Sequence, residues 1–570
     1  MNKQLIECVP NFSEGQNMQV IKQITDQIES VEGVKLLDVD PGKATNRTVV
    51  TFVGTPEAVV EAAFLAIQKA SEIIDMSKHK GEHPRFGATD VCPFIPVSGI
   101  TMEETAHYAR ILAQKVGTAL QIPVYLYESA ALKPDRKNLA AVRAGEYEGL
   151  PEKLAHPDWI PDFGPAQYTP LVAKTGAIAI GARDFLVAYN INLNTTSVRR
   201  ANAIAFDVRE AGRVLRKGNP ITGEILRNEN GEPLRRPGAL KSVKAIGWYI
   251  EEYGIAQISM NLTNISITPV HEAFEEVCQS AQERGIRVTG SEIVGLVPLK
   301  AMLDAGKYFL RKQQRSVGVP EEELVKIAVK SLGLHDLAPF DPRKKIIEYV
   351  LEDLENNPAP LVNLSLKAFS NETASESPAP GGGSVAAYVG ALGASLATMV
   401  ANLSSHKRGW DERWEEFSDW AEKGQVLKEQ LLFMVDEDTR AFNGIIDAVR
   451  LPKQTDAEKA ARTQAIELAT QYAAQTPFRV MQLALQSMEV IKAMAQEGNP
   501  NSVSDAGVGA ACALAAVKGA CLNVLTNAKD LQDRSFANEK TTAALQMLQL
   551  AQEQEQIITQ IVLSRMSGQA

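Results

Sequence analysis

The sequence predicts an α/β (α+β) region of duplicated ferredoxin-like units, followed by an all-α antiparallel helical bundle. Three observations support this prediction. A β-α-β-β-α-β order of hydrophobic patterns occurs twice in the first half of the chain. The strand patterns stop beyond about Lys300, and from Gly381 onward the chain is rich in Ala, Leu, Gln and Glu at helical spacing.

The first unit is predicted from short apolar runs that alternate with amphipathic stretches. Turn residues at Asp40-Pro41-Gly42 predict a turn between its second and third strands. A further helix at 103–120 and a strand at 124–127 extend the unit. The core order is a strand at 5–9, a helix at 17–31, strands at 34–39 and 47–53, a helix from Pro56, and a strand at 91–97.

The second unit repeats this order. A cleft between two such units would be a natural ligand site. The segment Lys217–Pro237 is rich in Gly, Pro, Asn and charge, which predicts an exposed hairpin or loop. The predicted elements are a strand at 185–193, a helix at 198–211, strands at 243–250 and 255–262, a helix at 271–284, and a strand at 286–295.

Four segments are predicted from the change in pattern along the chain. Linker composition is strongest at 356–360 and 375–380, where Asn, Pro, Ser and Glu accumulate. The predicted segments are an N-terminal α/β subdomain at 1–183, a C-terminal α/β subdomain at 184–335, a helical linker at 336–375, and a helical domain at 376–570.

Composition narrows the possible partners. A net charge of −10 argues against nucleic acid and anionic membranes as general partners. The segment Ser377–His406 lacks Asp, Glu, Lys and Arg, but its small residues favour a helix packed among protein neighbours over a span in lipid. Five cysteines without a CxxC pair predict neither a disulfide framework nor a cysteine zinc site, and favour a reducing cytoplasm.

The segment from His79 to Arg85 matches the zinc motif H-x-x-E-H in spelling. That motif needs both histidines on one helical face, whereas Gly81 weakens a helix and Pro84 biases His83 away from helical geometry. We therefore predict no metal here. His83 is a candidate acid/base because imidazole titrates near neutrality, and the alternative is a loop hydrogen bond. Lys80 and Arg85 could hold substrate carboxylates.

Asp438 is the sharpest candidate in the helical region. It falls within an apolar stripe whose members are Leu427, Leu431, Met434, Val435, Phe442, Ile445 and Val449, whereas Asp436 and Glu437 are predicted to point away. Desolvation of a carboxylate on that face would raise its pKa and prepare it for proton transfer. The alternative is a structural ion pair with an Arg or Lys from another helix.

Two further features of the helical region have open roles. The glycines of Gly381-Gly382-Gly383-Ser384 either let a helix N-terminus pack closely or face a ligand. Ser504 or Asp505 is predicted to cap the apolar helix that follows, with a contribution of Asp505 to a ligand pocket as the second possibility.

The sequence resembles the formiminotransferase family over most of its first half. The helical region, including Val435-Asp436-Glu437-Asp438, resembles the fused formiminotransferase-cyclodeaminases. The segments that carry the resemblance in the first half are Glu7–Gly15, Thr45–Thr48, His79–Pro96, Asp162–Pro165, Ala188–Leu193 and Gly295–Lys300.

The resemblance implies that His83 is the transferase acid/base and that Asp438 acts in cyclodeamination as nucleophile or acid/base. It implies tetrahydrofolate as co-substrate, formiminoglutamate and polyglutamylated folate as ligands, and a homo-oligomer of at least two subunits. It also implies a folate site, in which Tyr168 could pack against a ring, formed by Gly164, Pro165, Ala166, Gln167, Tyr168, Thr169, Pro170, Leu171, Val172 and Ala173.

The predicted function is transfer of a formimino group from formiminoglutamate to N5 of tetrahydrofolate, followed by ring closure with loss of ammonia. A methenyltetrahydrofolate cyclohydrolase and a non-catalytic oligomerisation module are the alternatives for the bundle. Secondary candidates are Asn11, Asp40, Asn46 and Arg47, for which turn formation is at least as good an explanation. Lys174, Arg183 and Lys300 are candidates for guiding a polyglutamate tail.

Overall fold

The computed structural model describes residues 4–42, 46–80, 85–218, 223–251, 253–354, 360–377 and 379–567. The chain forms two compact units. One unit comprises Met1–Ala301 with Leu332–Asp353, and the other comprises Met302–Ser331 with Leu354–Ala570. The predicted segment boundaries at 183, 335 and 375 remain predictions, and residues 302–331 group with the helical unit rather than with their neighbours in sequence.

The first half of the α/β unit follows the predicted order of elements up to the strand that ends at Glu128. The two-residue strand at Asn11–Phe12 and the elements between Leu139 and Ala182 were not predicted. Its elements are β1 (Leu5–Cys8), β2 (Asn11–Phe12), α1 (Met18–Glu29), β3 (Val34–Gly42), β4 (Arg47–Gly54), α2 (Pro56–Ile73), β5 (Thr89–Ser98), α3 (Met102–Ala119), β6 (Val124–Glu128), α4 (Leu139–Val142), α5 (Leu150–Ala155), α6 (Pro170–Thr175) and β7 (Ile178–Ala182).

The second half repeats the order around a hairpin insertion. Its elements are β8 (Val187–Leu193), α7 (Val198–Val208), β9 (Arg213–Val214), β10 (Arg216–Lys217), β11 (Glu224–Ile225), β12 (Arg235–Arg236), β13 (Val243–Ile250), β14 (Ile255–Leu262), α8 (Val270–Gln282) and β15 (Val288–Val294). The predicted hairpin is formed by β10 with β11 and β9 with β12, both antiparallel.

Both sheets place the first strand of the unit between its third and fourth strands. In the first sheet, β1 and β2 lie between β4 and β5, β3 extends the β4 edge, and β7 and β6 continue the other edge in parallel. The second sheet has the order β13-β14-β8-β15 and is antiparallel throughout.

The two faces of β1 differ in chemistry because alternate strand residues point to opposite sides. Ile6 and Cys8 are fully buried in the core that α1, α2 and α3 cover. Glu7 therefore lies on the opposite face, level with Val53 of β4 and Ile95 of β5. Part of the opposite face of the sheet is covered by α4, α5 and α6, whose apolar residues form a second buried cluster with β5, β6 and β7.

The turn predicted at Asp40-Pro41-Gly42 is wrong. These residues continue β3, and Pro41 pairs with Thr48 of β4. Proline is tolerated at this position because β3 is an edge strand, and no further strand needs the N–H donor that proline lacks. The edge therefore runs as far as Gly42, close to the candidate site.

The remaining elements are helical, as predicted for the chain beyond about Lys300. The five longest C-terminal helices share one apolar core built largely from alanine. These elements are α9 (Leu299–Lys312), α10 (Glu321–Leu332), α11 (Pro342–Lys345), α12 (Ile347–Leu354), α13 (Leu366–Thr373), α14 (Gly382–Ser405), α15 (Trp414–Arg450), α16 (Asp456–Glu497), α17 (Val503–Lys529) and α18 (Arg534–Met566).

Small residues let α14 approach its neighbours closely. A Cβ atom added at Gly393 would lie 2.9 Å from the backbone oxygen of Gly509 on α17. The uncharged segment thus forms a core helix of this unit, with Ala387, Ala394 and Ala401 fully buried. By length and hydropathy, Gly382–Ser405 and Pro500–Lys529 also meet the criteria for membrane-crossing helices.

Candidate active sites

The predicted transferase base, His83, lies outside the described residues, together with Gly81, Glu82 and Pro84. The described residues on either side show how this segment is anchored. Nε2 of His79 lies 2.9 Å from the backbone oxygen of Asn46. Burial lowers the pKa of His79, with an opposing contribution from the Asn46 carbonyl. His79 is therefore mainly neutral near pH 7 and links the loop to β4.

Asn46 ties three segments together. Its backbone has a φ of +48°, its side-chain amide donates to the oxygen of Lys80 at 2.8 Å, and its Oδ1 accepts from the N–H of Gly15 at 3.0 Å. The surrounding backbone leaves no room for a side chain at position 15, since a Cβ atom on Gly15 would lie 2.4 Å from the oxygen of Gly42. Asn46 thus acts in turn formation, which is the alternative role predicted from the sequence.

A cluster of buried charge lies at the ends of β2, β4 and β5. Nη2 of Arg143 donates to Oδ2 of Asp90 at 2.8 Å, and Nη1 of Arg47 lies 4.0 Å from the same oxygen. Arg47 also donates to Oδ1 of Asn11. The Asp90 side chain is 1% exposed and its other oxygen accepts from the N–H of Phe86. Two guanidinium groups therefore converge on one buried carboxylate.

Tyr147 connects the histidine loop to the predicted folate segment. Its N–H donates to the oxygen of Arg85 at 2.8 Å, and the Arg85 guanidinium lies 5.7 Å from the centre of its ring. Its hydroxyl donates to the oxygen of Ala173 at 2.5 Å and lies 3.4 Å from the hydroxyl of Tyr168. Arg85 itself is paired with Glu148 at 2.7 Å. The structure thus brings Arg85 and Tyr168 to one place.

The predicted folate segment has a defined backbone and an accessible surface. Gly164 has a φ of +84°, and a Cβ atom there would lie 2.2 Å from the oxygen of Ile122, so glycine is required. The side chain of Thr169 caps α6 by accepting from the N–H of Val172. Val172 is buried and forms the base of the segment. The exposed residues, which remain available to a ligand, are Gly164, Ala166, Gln167, Tyr168, Pro170 and Leu171.

Glu7 is a buried acid that the sequence did not single out for chemistry. It is 4% exposed, and burial raises its pKa to about 7. The charge of Arg183 opposes this rise, whereas the charge of Glu348 adds to it. The burial of Glu7 could not be inferred from the sequence pattern, because the strand that carries it has only four residues. Asp90, Arg143 and Tyr147 were also missed, since their partners are distant in sequence; Asp90 and Arg143 are 53 residues apart.

Asp438 belongs to α15, and its side chain contacts the N-terminus of α14. Its Oδ2 accepts from the N–H of Ser384 at 2.8 Å and from the Ser384 hydroxyl at 3.0 Å. Burial raises the pKa of this carboxyl, and the two hydrogen bonds from Ser384 oppose that rise. A Cβ atom on Gly383 would lie 2.1 Å from Oδ1. Close packing is therefore one role of the glycine run, and no Arg or Lys pairs with Asp438 among the described residues.

The residues around Asp438 correct the predicted stripe. Phe442 and Val449 are 39% and 45% exposed, whereas Ala441 and Ala448 are buried. Glu437, predicted to point away, is 8% exposed and accepts hydrogen bonds from Tyr472 and, at 2.6 Å, from Arg440. Spacing alone could not place this face, because α15 contacts different neighbours along its length.

The predicted cap of α17 is also wrong. The helix begins at Val503, so that Ser504 and Asp505 lie within its first turn, and a short 3-10 helix at Pro500–Ser502 precedes it. Asn499 caps that short 3-10 helix by accepting from the N–H of Asn501, whereas the N-cap residue of α17 is Ser502. Across the parts of the chain that the structure describes, no cluster of His, Cys, Asp or Glu has the arrangement of a metal site.

Three family models match successive parts of the chain. Residues 5–183 match the N-terminal subdomain of the formiminotransferase domain, and residues 188–352 match the formiminotransferase domain. Residues 365–546 match the model described as formiminotransferase-cyclodeaminase. Together these models cover both the region that contains Arg85 and the region that contains Asp438.

Curated relatives match either the whole chain or one of its halves. A formimidoyltransferase-cyclodeaminase of Rattus norvegicus is 44% identical over 97% of this chain and 98% of its own length. A glutamate formimidoyltransferase of Thermoplasma acidophilum is 44% identical over 54% of this chain and 92% of its own length. A methenyltetrahydrofolate cyclohydrolase of Methylorubrum extorquens is 39% identical over 31% of this chain and 86% of its own length. The chain therefore belongs to the formimidoyltransferase-cyclodeaminase family.

Proposed function

We propose that this chain is a bifunctional enzyme that transfers the formimino group of N-formimino-L-glutamate to N5 of tetrahydrofolate and then cyclodeaminates the product. The observation that carries the proposal is the similarity over 97% of the chain to a relative with both activities in its name. The relatives that match only one half have names that correspond to single folate reactions.

In the proposed first reaction, N5 of tetrahydrofolate attacks the formimino carbon and the bond from that carbon to the glutamate nitrogen breaks. The attacking nitrogen loses a proton and the departing nitrogen gains one. His83 performs both transfers, since an imidazole can accept and donate near pH 7. Burial favours the neutral form of His79, which contacts the backbone oxygen of Asn46, so we assign both transfers to His83 and not to His79.

The substrate contacts follow from the charge and shape around the loop. We assign the carboxylates of formiminoglutamate to Arg47 and Arg143, because guanidinium groups can bind carboxylates through two parallel hydrogen bonds and these two converge on one place in the fold. Folate lies along Gly164–Ala173, with Tyr168 against the pterin or benzoyl ring and Tyr147 holding the segment in place. Tetrahydrofolate acts as a co-substrate, and the proposed chemistry requires no metal.

In the proposed second reaction, N10 attacks the same carbon, ammonia leaves, and 5,10-methenyltetrahydrofolate forms. Asp438 accepts the N10 proton and returns it to the departing nitrogen. Its raised pKa keeps it a competent base whose conjugate acid can still donate. A methenyltetrahydrofolate cyclohydrolase activity is the second candidate for this region, because the named relative from Methylorubrum extorquens is 39% identical to it.

The wider proposals concern architecture and setting. The common strand order of the two sheets supports a duplicated ferredoxin-like fold for the transferase half. We propose a cytoplasmic homo-oligomer that acts on polyglutamylated folate. Lys174 and Arg183 donate to the backbone oxygens of Glu72 and Asp184, so a role for them in guiding the tail requires their remaining donors.

A time course with formiminoglutamate and tetrahydrofolate tests the proposal. His83→Ala should abolish formation of 5-formiminotetrahydrofolate, while externally added intermediate is still converted. Asp438→Ala should accumulate that intermediate and release glutamate but no ammonia. The matched controls are the exposed His107→Ala on α3 and Asp447→Ala, whose side chain is 75% exposed on α15. Full transfer by His83→Ala would refute its assigned role.

Supplying methenyltetrahydrofolate alone separates the two candidates for the helical region. A cyclohydrolase would convert it to 10-formyltetrahydrofolate with loss of the methenyl absorbance, and this loss would depend on Asp438. A cyclodeaminase would leave it unchanged beyond the uncatalysed rate. A helical region without a site would make neither reaction depend on Asp438.

A further inference from the structure

A cavity of about 620 Å³ lies between α7, α8 and the hairpin formed by β9–β12. Its volume is within the range of small-molecule sites, about 300 to 1,000 Å³. The hairpin is the segment that the proposed reactions leave without a role. The charged side chains that line the cavity are four arginines and three acids: Arg213, Arg216, Arg236, Arg284, Asp207, Glu276 and Glu283.

Two of these guanidinium groups are held in place by one carboxylate. Arg213 binds one oxygen of Asp207, and Arg284 binds the other. Arg284 also donates to the oxygen of Ser280 at 2.8 Å, and Arg213 donates to the oxygen of Ala203 at 3.0 Å. Each group therefore has a fixed orientation before any ligand arrives, which lowers the entropy lost on binding.

The hairpin places two arginines directly opposite each other. Arg236 of β12 pairs in register with Arg213 of β9, so their side chains share one face of the ladder. Like charges at directly opposite positions destabilise a strand pair. Arg236 has no side-chain hydrogen bond or ion pair with the residues that the structure describes. Its side chain is exposed and accessible to a ligand, and four arginines face three carboxylates around the cavity.

The geometry at the base of the hairpin is set by backbone packing. Gly212 has a φ of +58°, and a Cβ atom there would lie 1.8 Å from the oxygen of Arg236. A Cβ atom on Gly238 would lie 2.1 Å from the oxygen of Arg209. The two glycines thus hold Arg236 against the end of α7, so that the like-charge pair is a built feature of the fold.

We propose that this cavity binds a small oxyanion, a carboxylate or a phosphate, between Arg236 and the Arg213–Arg284 pair. The bound anion offsets the repulsion between Arg213 and Arg236 and uses donors that Asp207 leaves free. Arg216, which donates to the oxygen of Gly223 at 2.8 Å, adds positive potential at the same wall. The site is independent of the two proposed folate reactions.

Isothermal titration calorimetry on the full chain tests this proposal, with inorganic phosphate and succinate as probes at constant ionic strength in chloride. We expect saturable binding of at least one probe with a Kd below about 1 mM. Arg236→Gln should weaken it about tenfold or more, because a charge-assisted hydrogen bond is lost. The control is Arg227→Gln in the same hairpin, whose Nη1 donates to the oxygen of Gly231 and which does not line the cavity.

Phenylglyoxal modification read by mass spectrometry provides a second measurement that needs no variant. The bound probe should protect Arg236 and leave Arg227 reactive. Binding of phosphate alone would identify phosphate as the recognised group, and binding of succinate alone would identify the carboxylate. No saturable binding of either probe, equal binding by Arg236→Gln, or equal loss in Arg227→Gln would overturn the proposal.

Discussion

The two candidate active sites are built in different ways. The transferase site depends on polar contacts among segments that are distant in sequence, with Asp90 bound by Arg143 and Tyr147 bound to Ala173. The cyclodeaminase site depends on one contact between two helices, in which Asp438 accepts hydrogen bonds from Ser384. A single helix terminus can orient a carboxylate, whereas a loop site needs several supporting groups. The first site should therefore lose function gradually under substitution, and the second abruptly.

The sharpest test of this difference is Gly383→Ala. The new methyl group would meet Oδ1 of Asp438 at 2.1 Å and displace the carboxylate from the N–H of Ser384. We expect cyclodeamination to fall by about 100-fold or more, because proton transfer depends on the position of the group. Formimino transfer should be unchanged in the same coupled assay.

Gly444→Ala on the same helix as Asp438 is the control, since nothing lies within 4 Å of a Cβ atom there. It should retain both activities and be slightly more stable, because alanine favours a helix over glycine. Equal losses in the two variants would mean that general disturbance of the bundle, and not the position of Asp438, limits the second reaction.

Glu7→Gln tests the buried charge of the transferase half. The pKa of Glu7 is raised to about 7, so between pH 4.5 and pH 7 the folded state holds more protons than the unfolded state. Stability should therefore fall as pH rises through this window, by up to about 3 kcal/mol for the full shift. The glutamine variant lacks this loss.

We expect the difference in unfolding midpoint between wild type and Glu7→Gln to be small at pH 4.5 and to favour the variant above pH 7. Urea unfolding followed at several pH values measures it. The exposed Glu152→Gln on α5 is the control and should show no such dependence. A constant difference across pH would mean that Glu7 does not titrate in this window.

Tyr147→Phe tests whether the hydrogen bond from the Tyr147 hydroxyl holds the proposed folate segment, Gly164–Ala173, in position. The variant keeps the ring beside Arg85 and removes the hydroxyl that donates to the oxygen of Ala173. Loss of one hydrogen bond is worth about 1 kcal/mol, so the KM for tetrahydrofolate should rise about fivefold with a smaller effect on kcat. Steady-state transfer assays measure both constants.

Tyr108→Phe is the control for Tyr147→Phe, because its hydroxyl donates to Glu57 on the surface of the helical layer. It should leave the KM unchanged. A Tyr147→Phe enzyme with an unaltered KM would show that the Gly164–Ala173 segment keeps its position without this contact.

Ser384→Ala should have the smallest effect. It removes the hydroxyl donor to Asp438 and keeps the backbone donor. Since that hydrogen bond lowers the pKa of Asp438, its removal should raise the pKa further. The acid limb of kcat/KM for cyclodeamination should then move to higher pH, by about one unit or less. An acid limb that moves to lower pH would contradict the role of Asp438 as the base.

Sequence patterns located the order of elements well, because periodicity depends mainly on which residues are apolar. The helix predicted at 103–120 is observed at Met102–Ala119, and the strand predicted at 255–262 is observed with the same bounds. The turn at Asp40–Gly42 failed for a physical reason. Turn residues also suit an edge strand, and only pairing with β4 distinguishes the two.

The candidate sites were predictable only in part. Asp438 was proposed as a candidate because a carboxylate at helical spacing among apolar residues is unusual, yet its partner Ser384 lies 54 residues away and no pattern links the two. Asp90, Arg143 and Tyr147 were missed because a charged or aromatic residue alone indicates no partner. His83 lies outside the described residues, so its assignment stays a prediction.

The sequence by itself determined the succession of α/β and helical regions, the glycines that close backbone contacts require, and which residues are candidates for proton transfer. Only the tertiary structure decided which carboxylate of α15 meets the N-terminus of α14 and which arginines gather around Asp90 and Asp207. The reason is that periodicity orients a side chain about its own helix or strand. Burial and electrostatic environment depend instead on the elements that pack against it.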